Sequence, residues 1–219
     1  MTRVLIVEDH PITRCGLRQI IEAESDLEVC DDVGDAASGM EAFRKHQPDL
    51  VLADISMPGR NGLELLKDIK AEASKALVLF VSMHDETVYA ERVLRAGAVG
   101  YIMKDEAPDA LIKAVRTALQ GGVFVSPQVS NHIIQSFSGA NRDAASPVDR
   151  LTDRELQVFD LIGHGQGNKE IAQQLGLSAR TIEAHRAHIK EKLHFRAGNA
   201  LIREAVRWVE SNKADAANT

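Results

Sequence analysis

The stretch VLADISMPGRNG at residues 51–62 is the most informative part of the chain, because an apolar run stops at Asp54 and a helical pattern starts at Gly62 after a Pro- and Gly-containing loop. The same alternation of apolar strand and amphipathic helix extends outward from it over the first 120 residues. We predict strands at Arg3–Val7, Glu28–Val33, Asp49–Ala53, Ala76–Ser82 and Val99–Ile102, and helices at Ile12–Ala23, Asp35–Lys45, Gly62–Ala71, Glu86–Ala96 and Pro108–Gln120. Crossovers of about ten residues or more force parallel pairing, so this region is predicted to be an α/β domain with a five-stranded, doubly wound parallel sheet.

The rest of the chain has a different pattern, which is wholly helical after Asp149. We predict an all-α, four-helix domain with helices at Asp153–Gly163, Lys169–Leu175, Ala179–Leu193 and Ala197–Glu210. Between the two regions lie a short helix near Gln128–Phe137 and the small, polar stretch GANRDAASP at residues 139–147, which is typical of a linker. The expected division is a first domain at residues 1–122, a linker at 123–147, a helical domain at 148–212 and a flexible tail at 213–219.

Charge is distributed unevenly along the chain. Residues 1–125 contain 14 basic and 21 acidic side chains, whereas residues 126–219 contain 12 and 11, and the segment 164–196 has six basic side chains, three acidic ones and four histidines. This asymmetry indicates a second module able to approach phosphate groups. The cysteines, Cys15 and Cys30, are too few for a disulfide scaffold and are expected to be reduced core residues. With neither a signal-peptide pattern nor an apolar run of about 18 residues, the protein is expected to be cytoplasmic.

Charged and polar residues follow the predicted strands directly. Glu8 and Asp9 come after the first strand and Asp54 after the third, so three carboxylates are expected to meet at one edge of the sheet. Crowded carboxylates need a cation, and hard oxygen ligands suit Mg²⁺. Lys104 and Ser82, at the ends of two further strands, complete a set of groups that would stabilise a phosphoryl group carried on a carboxylate.

The segments LIVEDH, VLADISMPGRNG, VLFVSMHD and AGAVGYIMKD resemble the receiver domain of two-component response regulators, which has a flavodoxin-like fold. The resemblance implies that a sensor histidine kinase phosphorylates Asp54. It implies that Mg²⁺ is held by Glu8, Asp9, Asp54 and the backbone carbonyl of Ser56.

The same resemblance implies a switch. Lys104 would pair with the phosphoryl group, the hydroxyl of Ser82 would move to meet it, and Tyr101 would turn inward as a consequence.

In the helical region, Thr152-Asp153-Arg154-Glu155 forms a capping box, and two helices are joined by a tight turn at Gly176 with Ser178 as the N-cap of the second. That arrangement predicts a helix-turn-helix. From about Leu151 to Trp208 the sequence resembles the DNA-binding domain of the NarL/FixJ family of response regulators, also called LuxR-type. The resemblance implies double-stranded DNA as a partner, with RNA polymerase as a further one.

The second helix of this pair is the expected recognition helix. Ala184 and Ala187 would let it lie deep in the major groove, although family members often have Lys at positions 183 and 187. The candidate DNA contacts are Lys169, Arg180, Thr181, Glu183, Ala184, His185, Arg186, Ala187, Lys190 and Lys192. The active form is expected to be a homodimer on an inverted repeat, with a dimer contact formed by Leu201, Ile202, Ala205 and Trp208 of the last helix.

Two other functions remain open from the residues. An aspartyl-phosphate phosphatase of the haloacid-dehalogenase type would use a second Asp two residues after the nucleophile, and that position is Ser56 here. A regulator that works without phosphorylation is the other, although that class often loses parts of the acidic pocket. We therefore predict a transcription regulator and not an enzyme.

Overall fold

The computed structural model describes residues 1–137, 147–195 and 198–217, and the chain divides into two compact units, Met1–Ile133 and Ile134–Thr219. The predicted linker stretch lies largely outside the described residues. No helix in the described ranges is both long and apolar enough to cross a membrane.

The first unit contains the predicted parallel sheet. Its strands are β1 Thr2–Val7, β2 Leu27–Val33, β3 Leu50–Ala53, β4 Leu77–Ser82 and β5 Gly100–Met103, in the order β2-β1-β3-β4-β5. Its helices are α1 Pro11–Glu22, α2 Ala36–His46, α3 Gly62–Glu72, α4 Glu86–Arg95 and α5 Pro108–Leu119. The predicted fold class is confirmed, with strand ends within one residue of the expected positions, because strands covered on both faces form continuous apolar runs that are easily recognised.

The two faces of the sheet are covered by different helices. Leu17 and Ile21 of α1 share one hydrophobic cluster with Leu111 and Val115 of α5. On the other face, Val7 packs between α2 and α3, where its side chain approaches Gly39. Helices on both faces leave the carboxyl ends of the strands as the open edge where a site can form.

The chain continues along the sheet beyond α5. The carbonyl of Phe124 accepts a hydrogen bond from the amide of Tyr101 at 2.9 Å, and the Phe124 amide donates to Val99 at 3.0 Å. A further helix, α6 Pro127–Phe137, then begins, and its Val129 is buried. The segment that begins the expected linker is therefore hydrogen-bonded to β5.

The second unit consists of helices. A 3-10 turn at Pro147–Arg150 precedes α7 Asp153–Gly163, α8 Asn168–Gln174, α9 Ala179–Lys192 and α10 Gly198–Ala217. Both predicted caps are present: Thr152 and Glu155 form the capping box of α7, and Ser178 caps α9. Gly176 has φ of 62°, a left-handed conformation that suits glycine in the tight turn between α8 and α9. Helix α10 continues to Ala217, so residues 213–217, expected as a flexible tail, are helical.

One expectation about the cysteines is wrong. Cys15 is exposed on α1, whereas Cys30 is half-buried and its Sγ lies 3.4 Å from the carbonyl oxygen of Val4. Both are free thiols. The apolar residues around Cys15 in sequence belong to the buried face of an amphipathic helix, and Cys15 lies on the opposite face.

Candidate functional site

The register of the sheet brings the acidic residues together. Val7 of β1 is paired with Ala53 of β3, so the residues that follow them, Glu8 and Asp54, leave the sheet side by side. Both carboxylates are buried, with relative exposures of 1% and 4%. The Asp54 amide donates to the Val7 carbonyl at 2.9 Å, which fixes the Asp54 backbone at the end of β3.

Lys104 neutralises part of this charge. It follows β5, and its Nζ lies 2.6 Å from Glu8 Oε2 and 2.9 Å from Asp54 Oδ2. Burial raises the pKa of Glu8 and the charge of Asp54 raises it further, in spite of the hydrogen bond from Lys104. Burial by itself would lower the pKa of Lys104, but the two carboxylates outweigh that effect and raise it. The pocket therefore has an excess of negative charge that one ammonium group does not cancel.

The pocket continues toward α1 through Asp9 and His10. The carboxylate oxygens of Glu8, Asp9 and Asp54 and a ring nitrogen of His10 all lie within 4.8 Å of one another. The His10 Nδ1 is 2.8 Å from Asp9 Oδ1 and 3.2 Å from Glu8 Oε1. Our sequence reasoning did not include His10 in the site, although its position directly after the two carboxylates was a usable signal.

A glycine allows the Asp54 backbone to lie where it does. An added Cβ on Gly62, the first residue of α3, would be 2.0 Å from the Asp54 carbonyl oxygen and 2.9 Å from the ring of Phe80. The neighbouring Asn61 caps α3 and is buried. The close approach of α3 to Asp54 therefore depends on the absence of a side chain at position 62.

The residues expected to form the switch are connected through His84, which our sequence reasoning did not single out. Ser82 and Tyr101 are fully buried, and the Tyr101 hydroxyl donates to the His84 carbonyl at 2.6 Å. His84 Nε2 lies 2.5 Å from the hydroxyl of Ser56, and its ring contacts Tyr89 of α4 with centroids 4.9 Å apart. The Tyr101 ring is thus turned inward in this structure.

In the second unit, α9 presents a continuous exposed face. Ile182 and Ile189 are buried on one side of the helix. The exposed residues recur every three or four positions on the other side: Arg180, Glu183, Ala184, Ala187, His188 and Glu191. His188 was not among the predicted DNA contacts, yet helical spacing places it beside Ala184 and Ala187. Lys169, at the start of α8, is also exposed.

Other predicted DNA contacts are less accessible. Lys192 Nζ pairs with Glu155 of α7 at 2.6 Å, and Glu155 is buried. Lys192, which the sequence predicts as a phosphate contact, is thus held in an ion pair by a residue 37 positions away, and its DNA contact stays a prediction. Burial lowers the pKa of Arg186 and also, together with the charge of Arg154, that of His185.

The remaining predicted contacts are intermediate in side-chain exposure. Thr181 is half-buried, its amide hydrogen-bonds the capping Ser178 at 3.1 Å, and Lys190 is half-buried.

Two of the four residues that the sequence predicts for a dimer contact on α10 are not accessible to a partner. Leu201 and Ala205 are fully buried inside the unit. Trp208 is half-buried, and its ring lies against Phe159 of α7 with centroids 5.5 Å apart. Of that set only Ile202 is exposed, because the apolar stripe of α10 is needed to cover α7.

Comparisons with known proteins agree with both units. Residues 4–116 match the family described as "Response regulator receiver domain", and residues 149–205 match "Bacterial regulatory proteins, luxR family". Among curated relatives, the oxygen regulatory protein NreC of Staphylococcus carnosus is 37% identical over 213 residues, covering 94% of this chain and 97% of the relative. NreC of Staphylococcus aureus is 36% identical over the same length.

Solved structures of response regulators are similar to this chain. A LuxR-family two-component response regulator from Aurantimonas sp. SI85-9A1 is 32% identical with a TM-score of 0.59, covering 63% of this chain and 99% of that one. RcsB from Salmonella enterica serovar Typhimurium, bound to the promoter rprA in the presence of the phosphomimetic BeF3⁻, is 26% identical with a TM-score of 0.62, covering 92% and 96%. With a receiver unit and a LuxR-type unit in this order over nearly its whole length, the chain belongs to the DNA-binding response regulators of the NarL/FixJ family.

Proposed function

We propose that phosphoryl transfer from a sensor histidine kinase to Asp54 controls DNA binding by the α9 face of the second unit. The observation that carries the proposal is the position of the Asp54 carboxylate, which is buried at the end of β3 beside Lys104 and Glu8. The Lys104 ammonium group fixes the orientation of the Asp54 carboxylate and offsets its charge, which would favour phosphoryl transfer to one of its oxygens.

The residues fit a divalent cation. Three carboxylates converge, and one buried ammonium group pairs with two of them. Burial and then the charge of Asp54 raise the pKa of Glu8. Glu8, Asp9 and Asp54, with the backbone carbonyl of Ser56, would hold Mg²⁺. When bound, Mg²⁺ neutralises charge on the oxygens of the transferred group.

The chain's own residues then respond to the new group. Lys104 Nζ, now 2.9 Å from Asp54 Oδ2, moves its hydrogen bond to a phosphoryl oxygen. The hydroxyl of Ser82 turns toward the same group and leaves the His84 amide, which lies 3.4 Å from it. Because His84 also binds Tyr101 and Ser56, the β4–α4 loop rearranges as a unit. That rearrangement would act on Tyr101, whose hydroxyl donates to the His84 carbonyl.

DNA recognition is proposed to use two copies of the chain. One reading helix offers too small a surface for high specificity, so a homodimer on an inverted repeat, with half-sites about one helical turn apart, would supply the second helix. The RcsB complexes with promoter DNA support the use of this unit for DNA binding. The α9 residues Ala184, Ala187 and His188 would contact base edges, Lys169 would hold a phosphate, and RNA polymerase would be recruited at the promoter.

The test is phosphoryl incorporation followed by DNA binding. Intact-mass measurement after incubation with acetyl phosphate and Mg²⁺ should show one added phosphoryl group, and none for Asp54→Asn. Asp105→Asn is the matched control, because it removes an exposed carboxylate directly after Lys104. Labelling of Asp54→Asn to the level of Asp105→Asn, or a DNA affinity that does not change on labelling, would contradict the proposal.

A further inference from the structure

We propose that His10 is a metal-selecting residue of the acidic pocket: its imidazole nitrogen joins the carboxylates around the cation and favours divalent transition ions over Mg²⁺. The inference rests on the proposed function, because it assigns one more residue to the same cation site.

The size of the cluster supports the assignment. The ligand atoms of Glu8, Asp9, His10 and Asp54 lie within 4.8 Å of one another. Ligands on opposite sides of a cation with bonds of about 2.0–2.6 Å are separated by about 4–5 Å. The four groups therefore fit around a single ion after small side-chain movements.

The way His10 is held leaves its ring available to the pocket. His10 is the N-cap residue of α1, but its side chain makes no capping hydrogen bond. Its backbone amide donates to Glu8 Oε1 at 3.0 Å, and Pro11 follows at the first helical position. The ring is directed to the two carboxylates, and 68% of the side chain is exposed. The backbone is thus fixed, while the ring can adjust to an ion without disturbing the core.

The chemistry of the donors then determines the selectivity. Mg²⁺ is a hard ion that prefers carboxylate, carbonyl and water oxygens, whereas imidazole nitrogen suits Co²⁺, Ni²⁺ and Zn²⁺. Mg²⁺ would use Glu8, Asp9 and Asp54 and gain little from His10. A transition ion would use the same oxygens and gain a nitrogen ligand. Loss of His10 should therefore affect the two kinds of ion unequally.

The experiment measures Mg²⁺ and Co²⁺ binding to the full chain by isothermal titration calorimetry. We expect His10→Ala and His10→Asn to lower Co²⁺ affinity by about tenfold or more, and to leave Mg²⁺ affinity within about twofold. Asn retains an oxygen donor and favours the N-cap position, so a loss common to both variants reports the nitrogen. The control His194→Asn removes an exposed imidazole from the other unit and should leave both affinities at the pocket unchanged. Nitrogen hyperfine coupling to bound Cu²⁺, which accepts imidazole ligands, should be present in the unmodified chain and lose the His10 contribution in His10→Ala.

Two results would overturn the inference: a Co²⁺ affinity that does not change in the His10 variants, or equal losses for Co²⁺ and Mg²⁺. Either result leaves the proposed function intact as long as Mg²⁺ still supports labelling of Asp54 in the unmodified chain. Failure of that labelling would count against the proposed function, whatever the His10 variants show.

Discussion

Replacement of Gly62 by alanine should separate the geometry of the phosphorylation pocket from its composition, because it changes no charged or polar group. The added Cβ would lie 2.0 Å from the Asp54 carbonyl oxygen, whereas real Cβ atoms essentially never approach within 3.0 Å, so α3 or Asp54 must shift by about 1 Å. The shift would strain the hydrogen bonds from Asp54 to Val7 and from Gly62 to Ile55, which are both 2.9 Å long. Overpacking of this kind costs about 1–3 kcal/mol. The better helix propensity of alanine applies to helix interiors and offsets little at the first residue of α3, so the first unit should lose about 1–3 kcal/mol of stability.

The two units can be followed separately in one urea titration. Both tyrosines, Tyr89 and Tyr101, are buried in the first unit, and the single tryptophan, Trp208, lies in the second. Near-ultraviolet circular dichroism of the tyrosines should show an earlier transition in Gly62→Ala, while Trp208 fluorescence should follow an unchanged one. Gly16→Ala is the matched control, since an added Cβ there meets nothing within 4 Å and should be neutral or stabilising by up to about 1 kcal/mol.

The same variant should react slowly. A displacement of about 1 Å of a reacting group can cost about a hundredfold in rate, so labelling of Gly62→Ala by acetyl phosphate should fall far below that of Gly16→Ala. The reasoning would be refuted if Gly62→Ala and Gly16→Ala had the same tyrosine transition and the same labelling rate.

Three further predictions concern the second unit. Burial opposes ionisation of Glu155, but its hydrogen bonds to Lys192 and Thr152 outweigh that effect and lower its pKa. The ionised Glu155 therefore stabilises the second unit above the unfolded pKa, and this stabilisation is lost as the pH falls through the lower folded pKa. The urea midpoint followed by tryptophan fluorescence should fall on acidification, and it should fall less in Glu155→Gln. Ala187→Lys should change the DNA sequence selected from a random pool. Lys169→Ala should lower the affinity for all DNA sequences equally and reduce the slope of log affinity against log salt concentration by about one unit. The opposite pattern would show that the DNA-contacting face of α9 is misassigned. Leu201→Ala should cost about 2–5 kcal/mol of stability by leaving a cavity, whereas Ile202→Ala should cost much less because its side chain is already exposed; equal losses in thermal denaturation would argue against the buried role of position 201.

The sequence alone was sufficient for the architecture and for the carboxylates and the lysine of the pocket. Strands buried on both faces, helices with a period near 3.6 and capping residues such as Thr152 and Ser178 are local patterns, and each is visible in a short window. The convergence of Glu8, Asp9, Asp54 and Lys104 was also predictable. Each of them follows a strand directly or after one residue, and parallel pairing brings the carboxyl ends of strands to one edge.

Only the tertiary structure determined which partner each side chain has. Lys192 looks like a phosphate contact on a basic helix, but it pairs with Glu155, which the chain brings to it from α7. Leu201 and Ala205 look like an interface stripe, but they cover α7 inside their own unit. His84 joins Ser56 to Tyr101 through contacts that span 17 to 28 positions. Periodicity indicates which face of a helix or strand is apolar or charged. The packing of elements distant in sequence decides which partner each side chain meets, because burial and hydrogen bonding depend on atoms that no local stretch of sequence contains.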